Sequence, residues 1–426
     1  MPAFDPRRRR LLLAGLGLSG LMRSPVAQSA ANGPHVVVIG GGFGGASCAR
    51  TLRRLAPQVR ITLLEPRAQF FTGPSTNAAL VGLCAEGDIV HGPGALAAEG
   101  IELRLDRAIS IDPVTRRVRT ASGATLEADR IVLSPGVAMR WDLVQGLAET
   151  MRDQMPHAWL GDTQVATLRR RIDALRDGAT VAIVAPPNPY RCPPGPYERA
   201  SLIAWHLRRG GRGRGKVLVL DAKDDFSKRP LFQLGWDTLY PGTVEWVSRE
   251  KGGELAEVLD ARRNHLRLRN GSRVQADLVS LVPPQRAADI AVEGDLVDES
   301  LWCPVNPANF ESTRHRGIHV IGDACHAHPM PKSAFSANSQ GKLVALSLAA
   351  HLSGRAPPEA RLVNTCYSLL APGYAISVGG LYGVVSERLS TLNDGMSPLG
   401  AAREYRAREA AYAHDWYEQI TRDSFG

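Results

Sequence analysis

The chain has 426 residues, of which 44% are hydrophobic, 22% charged and 6% aromatic, with a formal net charge of +9. That length predicts two or three domains, and the apolar fraction excludes a mainly disordered chain. The charge does not point to nucleic acid: residues 1–31 hold five arginines against one aspartate, and the remaining basic residues form no long Lys/Arg block.

Residues 7–10 are arginines placed directly before an apolar stretch at 11–21, and small residues follow at Ala27, Ser29, Ala30 and Ala31. A charged start, an apolar run too short to span a bilayer and a small-residue cleavage site predict a secretory signal over 1–31. The arginine cluster gives it a twin-arginine character, and the mature protein is expected in the periplasm, an oxidising compartment. No later apolar run approaches the ~20 residues of a transmembrane helix.

Residues 35–39 (HVVVI) read as a buried parallel strand, followed by Gly40, Gly42 and Gly45 in G-x-G-x-x-G spacing and a helix-like stretch at 46–55. Glycine suits this turn because the backbone must approach a pyrophosphate, whose charge is then held by amides at the helix N-terminus. A second strand, VRITLLE, ends at Glu65, placed to accept hydrogen bonds from an adenosine ribose. Residues 130–136 (RIVLSPG) predict a strand ending in a turn at Pro135 and Gly136, and residues 317–324 (GIHVIGDA) a strand ending in Gly322 and Asp323. This second motif, with a helix expected over 338–352, favours FAD over NAD: Asp323 would meet the ribityl chain, and the helix N-terminus would face the flavin ring.

Between the two motifs, a polar helix is expected at 162–176 and apolar strands at 178–186 and 216–221. The loop where a second glycine fingerprint would bind a nicotinamide cofactor instead reads PPNPYRCPPGPYERAS, and its prolines lack the amide protons of an anion cradle. It carries Cys192, just before a helix expected to start near Tyr197; a thiol at a helix N-terminus has a favoured thiolate. Cys366 is the candidate partner, although sequence alone does not pair six cysteines. Cys48, Cys303 and Cys325 read as packing residues. The cysteines have no compact metal-ligand spacing and no C-x-x-C-H haem signature occurs, so no metal site is expected.

The segments RCPPGPYERAS (191–201), LVPPQRA (281–287), HVIGDACHAHPMPKSAFSANSQGK (319–342) and NTCYSLLAPGYAISV (364–378) closely resemble the flavoprotein subunit of flavocytochrome c sulfide dehydrogenase. Similar order continues to the final DSFG, so the resemblance spans nearly all of 34–426; sulfide:quinone reductases are resembled less closely. It implies an α/β fold of two Rossmann-like, glutathione-reductase-like domains: an FAD domain split across 34–142 and 288–360, and a central domain at 143–287 without a nicotinamide site. A C-terminal interface region at 361–426 completes the chain.

The implied activity is oxidation of sulfide through a redox-active Cys192–Cys366 disulfide beside FAD, with electrons passing to a c-type cytochrome subunit that alone carries haem. Glu198 could move protons during these steps or serve only the helix N-terminus, and Lys332 could hydrogen-bond near the flavin. One departure stands out. Where the family commonly has a cysteine joined to the flavin, this chain has Gly73, so noncovalent FAD is expected, with Cys84 a remote substitute. A sulfide:quinone reductase and an accessory thiol–disulfide flavoprotein serving a sulfur-carrier complex are the competing functions.

Overall fold

A computed structural model describes residues 33–426, so the expected signal at 1–31 lies outside the described residues. Strand β1 (His35–Ile39) is buried along its whole length and pairs in parallel with β2 (Arg60–Leu64). Helix α1 (Phe43–Leu55) connects them and packs its Ala46, Cys48, Ala49 and Leu52 into the domain core. Burying an aliphatic side chain of the size of Leu52 contributes about 1.5–3 kcal/mol, so the apolar inner face of α1 holds the helix on the sheet. Beyond β2 come the short helix α2 (Thr76–Leu80) and the edge strand β3 (Glu102–Arg104). An antiparallel meander over 108–127 then leads to β4 (Arg130–Leu133), on the other side of β1.

The central unit repeats this plan. Helix α3 (Gln164–Asp173) precedes β5 (Thr180–Ala185), α4 (Gly195–Arg209), β6 (Lys216–Asp221), α5 (Arg229–Leu239), β7 (Val244–Val247) and β8 (Leu278–Leu281). The parallel sheet runs β7-β6-β5-β8, again with an antiparallel meander, at 255–275. The outgoing and returning chains pair antiparallel where Val137–Met139 meets Gln285–Ala287. Strand β9 (Ile318–Val320) then joins β4 and completes the first sheet in the order β9-β4-β1-β2-β3.

Helix α6 (Ala334–Leu352) begins four residues earlier than the sequence pattern suggests, because the Ser333 hydroxyl accepts the Ser336 N–H and caps the first turn. It crosses α1 at two glycines: a Cβ on Gly341 would stand 2.4 Å from the Gly44 carbonyl oxygen. The segment after it is regular despite its glycines and exposed polar residues. It forms a three-stranded antiparallel sheet of β10 (Arg361–Ala371), β11 (Tyr374–Val385) and β12 (Arg388–Met396).

The final helix α7 (Arg403–Phe425) turns back onto the first domain. Phe425 packs 5.0 Å from the Phe43 ring and 5.7 Å from Phe70, while the Tyr417 hydroxyl meets Thr72 Oγ1 at 2.7 Å. Part of the expected interface region is therefore an internal seal. No helix among the described residues is long and apolar enough to cross a membrane.

Candidate functional site

The turn between β1 and α1 has the close contacts expected of its glycines. Gly40 has φ +97°, and a Cβ there would sit 2.2 Å from the Ser134 carbonyl oxygen. A Cβ on Gly45 would lie 1.9 Å from the Gly40 carbonyl oxygen, whereas one on Gly42 would meet nothing. Helix α1 starts at Gly42 with no side-chain cap and no acidic residue in its first turn, leaving its N-terminal amides for an anion. Buried Glu65 pins this turn: Oε2 accepts the Gly41 N–H at 2.9 Å, and Oε1 accepts the Arg67 N–H at 3.1 Å.

The return motif lies alongside. Gly136 and Gly322 both have φ +73°, and Pro135 lies in the turn after β4. Gly322 N–H donates to Gln340 Oε1 at 2.7 Å. Asp323 Oδ2 accepts Arg191 Nε at 2.6 Å, but Asp323 Oδ1 is buried with no partner. A buried carboxylate oxygen left unpaired is costly, and a hydroxyl of a bound flavin side chain would supply a donor for it. The amide cradle, Glu65 and this oxygen together fit FAD.

The second centre is built by the proline loop. Cys192 adopts φ +58°; its N–H donates to the Lys332 carbonyl at 2.8 Å, and its carbonyl accepts Gly195 N–H at 2.9 Å. Helix α4 begins at Gly195, two residues before Tyr197, with Pro194 at its cap and Pro196 in its first turn. Cys366 lies opposite Val378 on β10, the strand that packs against α4, and a negative charge on it would raise the Cys192 thiol pKa. Both are free thiols here. Burial pushes both thiols up, Cys192 well above the usual range, and this outweighs the helix end that alone would favour a thiolate. That expectation for Cys192 is corrected: in the reduced protein its surroundings disfavour the anion.

Glu198 is half-buried between the units. Its Oε2 accepts Asn77 Nδ2 at 2.8 Å, and its Oε1 accepts the Leu369 N–H at 2.8 Å. Burial pushes its carboxyl up, opposed by these two donors and by Lys228 and Arg199. The Lys332 ammonium donates to the carbonyls of Asp323 (2.8 Å) and Cys325 (2.7 Å) and lies 3.7 Å from the centre of the Trp302 ring. It buttresses the Asp323 turn and reaches Cys192 only through its own carbonyl.

Three polar residues at this centre have no motif of their own in the sequence. Asn77 holds Glu198 and also accepts Arg199 Nε at 3.0 Å. Arg199, fully buried, spans to the His157 carbonyl (2.6 Å) and Ser280 Oγ (2.8 Å), and burial lowers its pKa to about 10. Lys228, buried at the start of α5, donates to Ser368 Oγ at 2.8 Å. Only Lys228 carries a signal, the scarcity of lysine: it occurs six times in the chain, and Lys223 and Lys228 are both buried. Gly73 lines the same small cavity as Cys192, Trp159 and Arg191, and a Cβ there would meet nothing. Cys48 is enclosed in α1, and Cys303 and Cys325 face each other across a buried bridge. Among the described residues no His/Cys/Asp/Glu group has the arrangement of a metal site.

Two Rossmann-type units, one with a dinucleotide cradle and one presenting a thiol, define a flavin-dependent oxidoreductase of the disulfide-reductase type. Comparison with known proteins narrows the class. Residues 34–164 match the pyridine nucleotide-disulphide oxidoreductase model, 165–283 the central region of the sulfide dehydrogenase [flavocytochrome c] flavoprotein chain, and 358–425 the flavocytochrome c sulphide dehydrogenase flavin-binding region. The sulfide dehydrogenase flavoprotein chain of Chlorobaculum thiosulfatiphilum is 58% identical over 44 residues, 10% of this chain and 92% of that sequence. The mouse mitochondrial sulfide:quinone oxidoreductase is 19% identical over 74% of this chain and 71% of its own. The solved sulfide:quinone oxidoreductase of Aquifex aeolicus superposes with TM-score 0.71 at 18% identity, covering 92% of each chain, which shows a shared fold. The chain belongs to the family of flavocytochrome c sulfide dehydrogenase flavoprotein chains.

Proposed function

We propose that this protein is an FAD-dependent sulfide dehydrogenase, exported to the periplasm by its twin-arginine-type signal, that passes electrons to a c-type cytochrome subunit. The observation that carries this reading is the convergence of Cys192 and Cys366 with Glu198 at the edge of the flavin cradle, on a loop whose prolines replace a nicotinamide site. Hydrosulfide opens the Cys192–Cys366 disulfide, giving a persulfide on one cysteine and a thiolate on the other. Bound FAD supplies the two-electron acceptor for the thiol pair and a one-electron donor to haem. Glu198, with its raised pKa, holds a proton close to both sulfurs and exchanges it as thiolate forms and is consumed.

Gly40, Gly42 and Gly45 would receive the pyrophosphate, Glu65 the ribose, and Gly136, Gly322 and Asp323 the flavin side. Gly73 has no atom for a thioether, so FAD is held noncovalently. A quinone acceptor is the second reading, favoured by the sulfide:quinone oxidoreductase relatives. Anaerobic turnover with sulfide and either a c-type cytochrome or a short-chain quinone separates the two. Preferential reduction of the cytochrome supports the dehydrogenase, and preferential quinone reduction overturns it. Disulfide exchange without sulfide-dependent reduction of either acceptor would favour the accessory role.

A further inference from the structure

Lys228 is a cation enclosed at the thiol centre with no carboxylate within ion-pairing distance among the described residues. It is 3% exposed, and its backbone, at φ +64°, begins α5 and returns the side chain towards β10. Its ammonium donates to Ser368 Oγ at 2.8 Å and to the Cys366 carbonyl at 3.4 Å, two neutral oxygens, which leaves a third N–H. The other buried lysine, Lys223, differs: its ammonium meets Asp221 Oδ1 at 2.6 Å. Burying an ammonium whose two hydrogen-bond partners are neutral is costly, and the Glu198 carboxyl acts on it only from beyond ion-pairing distance. Such a group is most stable when an anion stands beside it. Its contact with the Cys366 carbonyl places it beside that cysteine, and its charge favours the thiolates of Cys192 and Cys366.

We infer that Lys228 is the anion-receiving group of the thiol centre, drawing hydrosulfide to the disulfide and then holding the negative charge as it moves onto the departing cysteine. The inference rests on the sulfide-oxidising reading above. In this step one S–S bond, between the cysteines, breaks and one, between the substrate sulfur and a cysteine, forms. The electron pair of the broken bond leaves on the other cysteine as thiolate, and the substrate proton stays on the persulfide. One negative charge is present before and after, so Lys228 serves both states without changing its own protonation.

The test uses the full oxidised flavoprotein and follows opening of the disulfide by alkylation quench and intact mass, independently of flavin colour. Hydrosulfide and the small neutral nucleophile trimethylphosphine are compared. Losing a hydrogen bond to a charged group predicts that Lys228→Met slows opening by hydrosulfide roughly 10- to 100-fold, slows opening by the phosphine to a smaller degree because there only the departing thiolate carries negative charge, and is largely rescued in Lys228→Arg. The same substitution raises the pH midpoint for thiol alkylation in the reduced protein. An unchanged hydrosulfide rate, or equal slowing of both nucleophiles with an unmoved alkylation midpoint, overturns the role of Lys228. A wild-type disulfide that hydrosulfide does not open overturns the functional reading itself.

Discussion

The loop after β1 and the loop after β5 occupy the same place in two copies of one architectural plan, and they do opposite things. After β1, glycines strip away side chains until the amides at the start of α1 stand open, and a Cβ on Gly42 would meet nothing. After β5, prolines remove amide donors and a left-handed Cys192 presents sulfur instead. The first loop is suited to hold an anion, the second to exchange bonds with one. A shared strand–turn–helix plan therefore says little about chemistry until the turn residues are examined. The two loops meet at Arg191 and Asp323, whose 2.6 Å ion pair ties the thiol loop to the flavin-side turn.

The contrast can be broken at either end. Gly45→Val has the largest expected effect, because its Cβ would stand 1.9 Å from the Gly40 carbonyl oxygen. The variant is expected to purify almost free of flavin, which the ratio of visible to ultraviolet absorbance reports. Cys192→Ser removes the other function and spares the first. Its flavin spectrum is retained while sulfide-dependent turnover falls by ~1000-fold or more, as expected on loss of a covalent nucleophile.

Glu198→Gln sharpens the comparison. It keeps most of the buried hydrogen-bonding shape but cannot exchange the proton, and turnover is expected to fall about 10- to 100-fold. The pH–rate profile carries the sign. The wild-type carboxyl is pushed up, so activity that needs its proton declines as pH rises through that raised value, and the glutamine variant lacks this limb.

The smallest effect concerns stability of the thiol loop alone. His157 Nδ1 accepts the Trp159 N–H at 3.0 Å, and Trp159 Nε1 donates to the Arg191 carbonyl at 2.9 Å, so a neutral His157 supports the residue before Cys192. Burial lowers its pKa to about 3 from 6.5. A depressed folded value means that its contribution is present above about pH 6.5 and is lost as pH falls towards 3, at no more than ~1.4 kcal/mol per pH unit. His157→Asn should flatten that part of the stability–pH curve, measured by denaturant unfolding.

The flavin cradle was legible in the sequence because its physics is local: a buried strand, three glycines at fixed spacing and an acid after the next strand lie within residues 35–65. The thiol centre was legible only in its cysteines and Glu198, which sit in long distinctive segments. Asn77, Arg199 and Lys228 come from three distant stretches and meet through the packing of α2, α4 and α5, so no spacing announces them. The sheet β10–β12 was hidden because glycines and exposed polar residues interrupt its alternation; at one register position Gly379 pairs with both Thr365 and Gly395. The contacts of the Lys332 ammonium with the Asp323 and Cys325 carbonyls were likewise not announced by its position in the motif.

The central claim is that a Cys192–Cys366 centre delivers electrons from sulfide to a noncovalent flavin. The most direct measurement is anaerobic stopped-flow absorbance of the mature flavoprotein mixed with sulfide, followed by acid precipitation to recover the flavin. Rapid bleaching, with all the flavin then released into the acid supernatant, is the predicted result. A flavin that stays oxidised in the presence of sulfide while the Cys192–Cys366 disulfide is intact would contradict it.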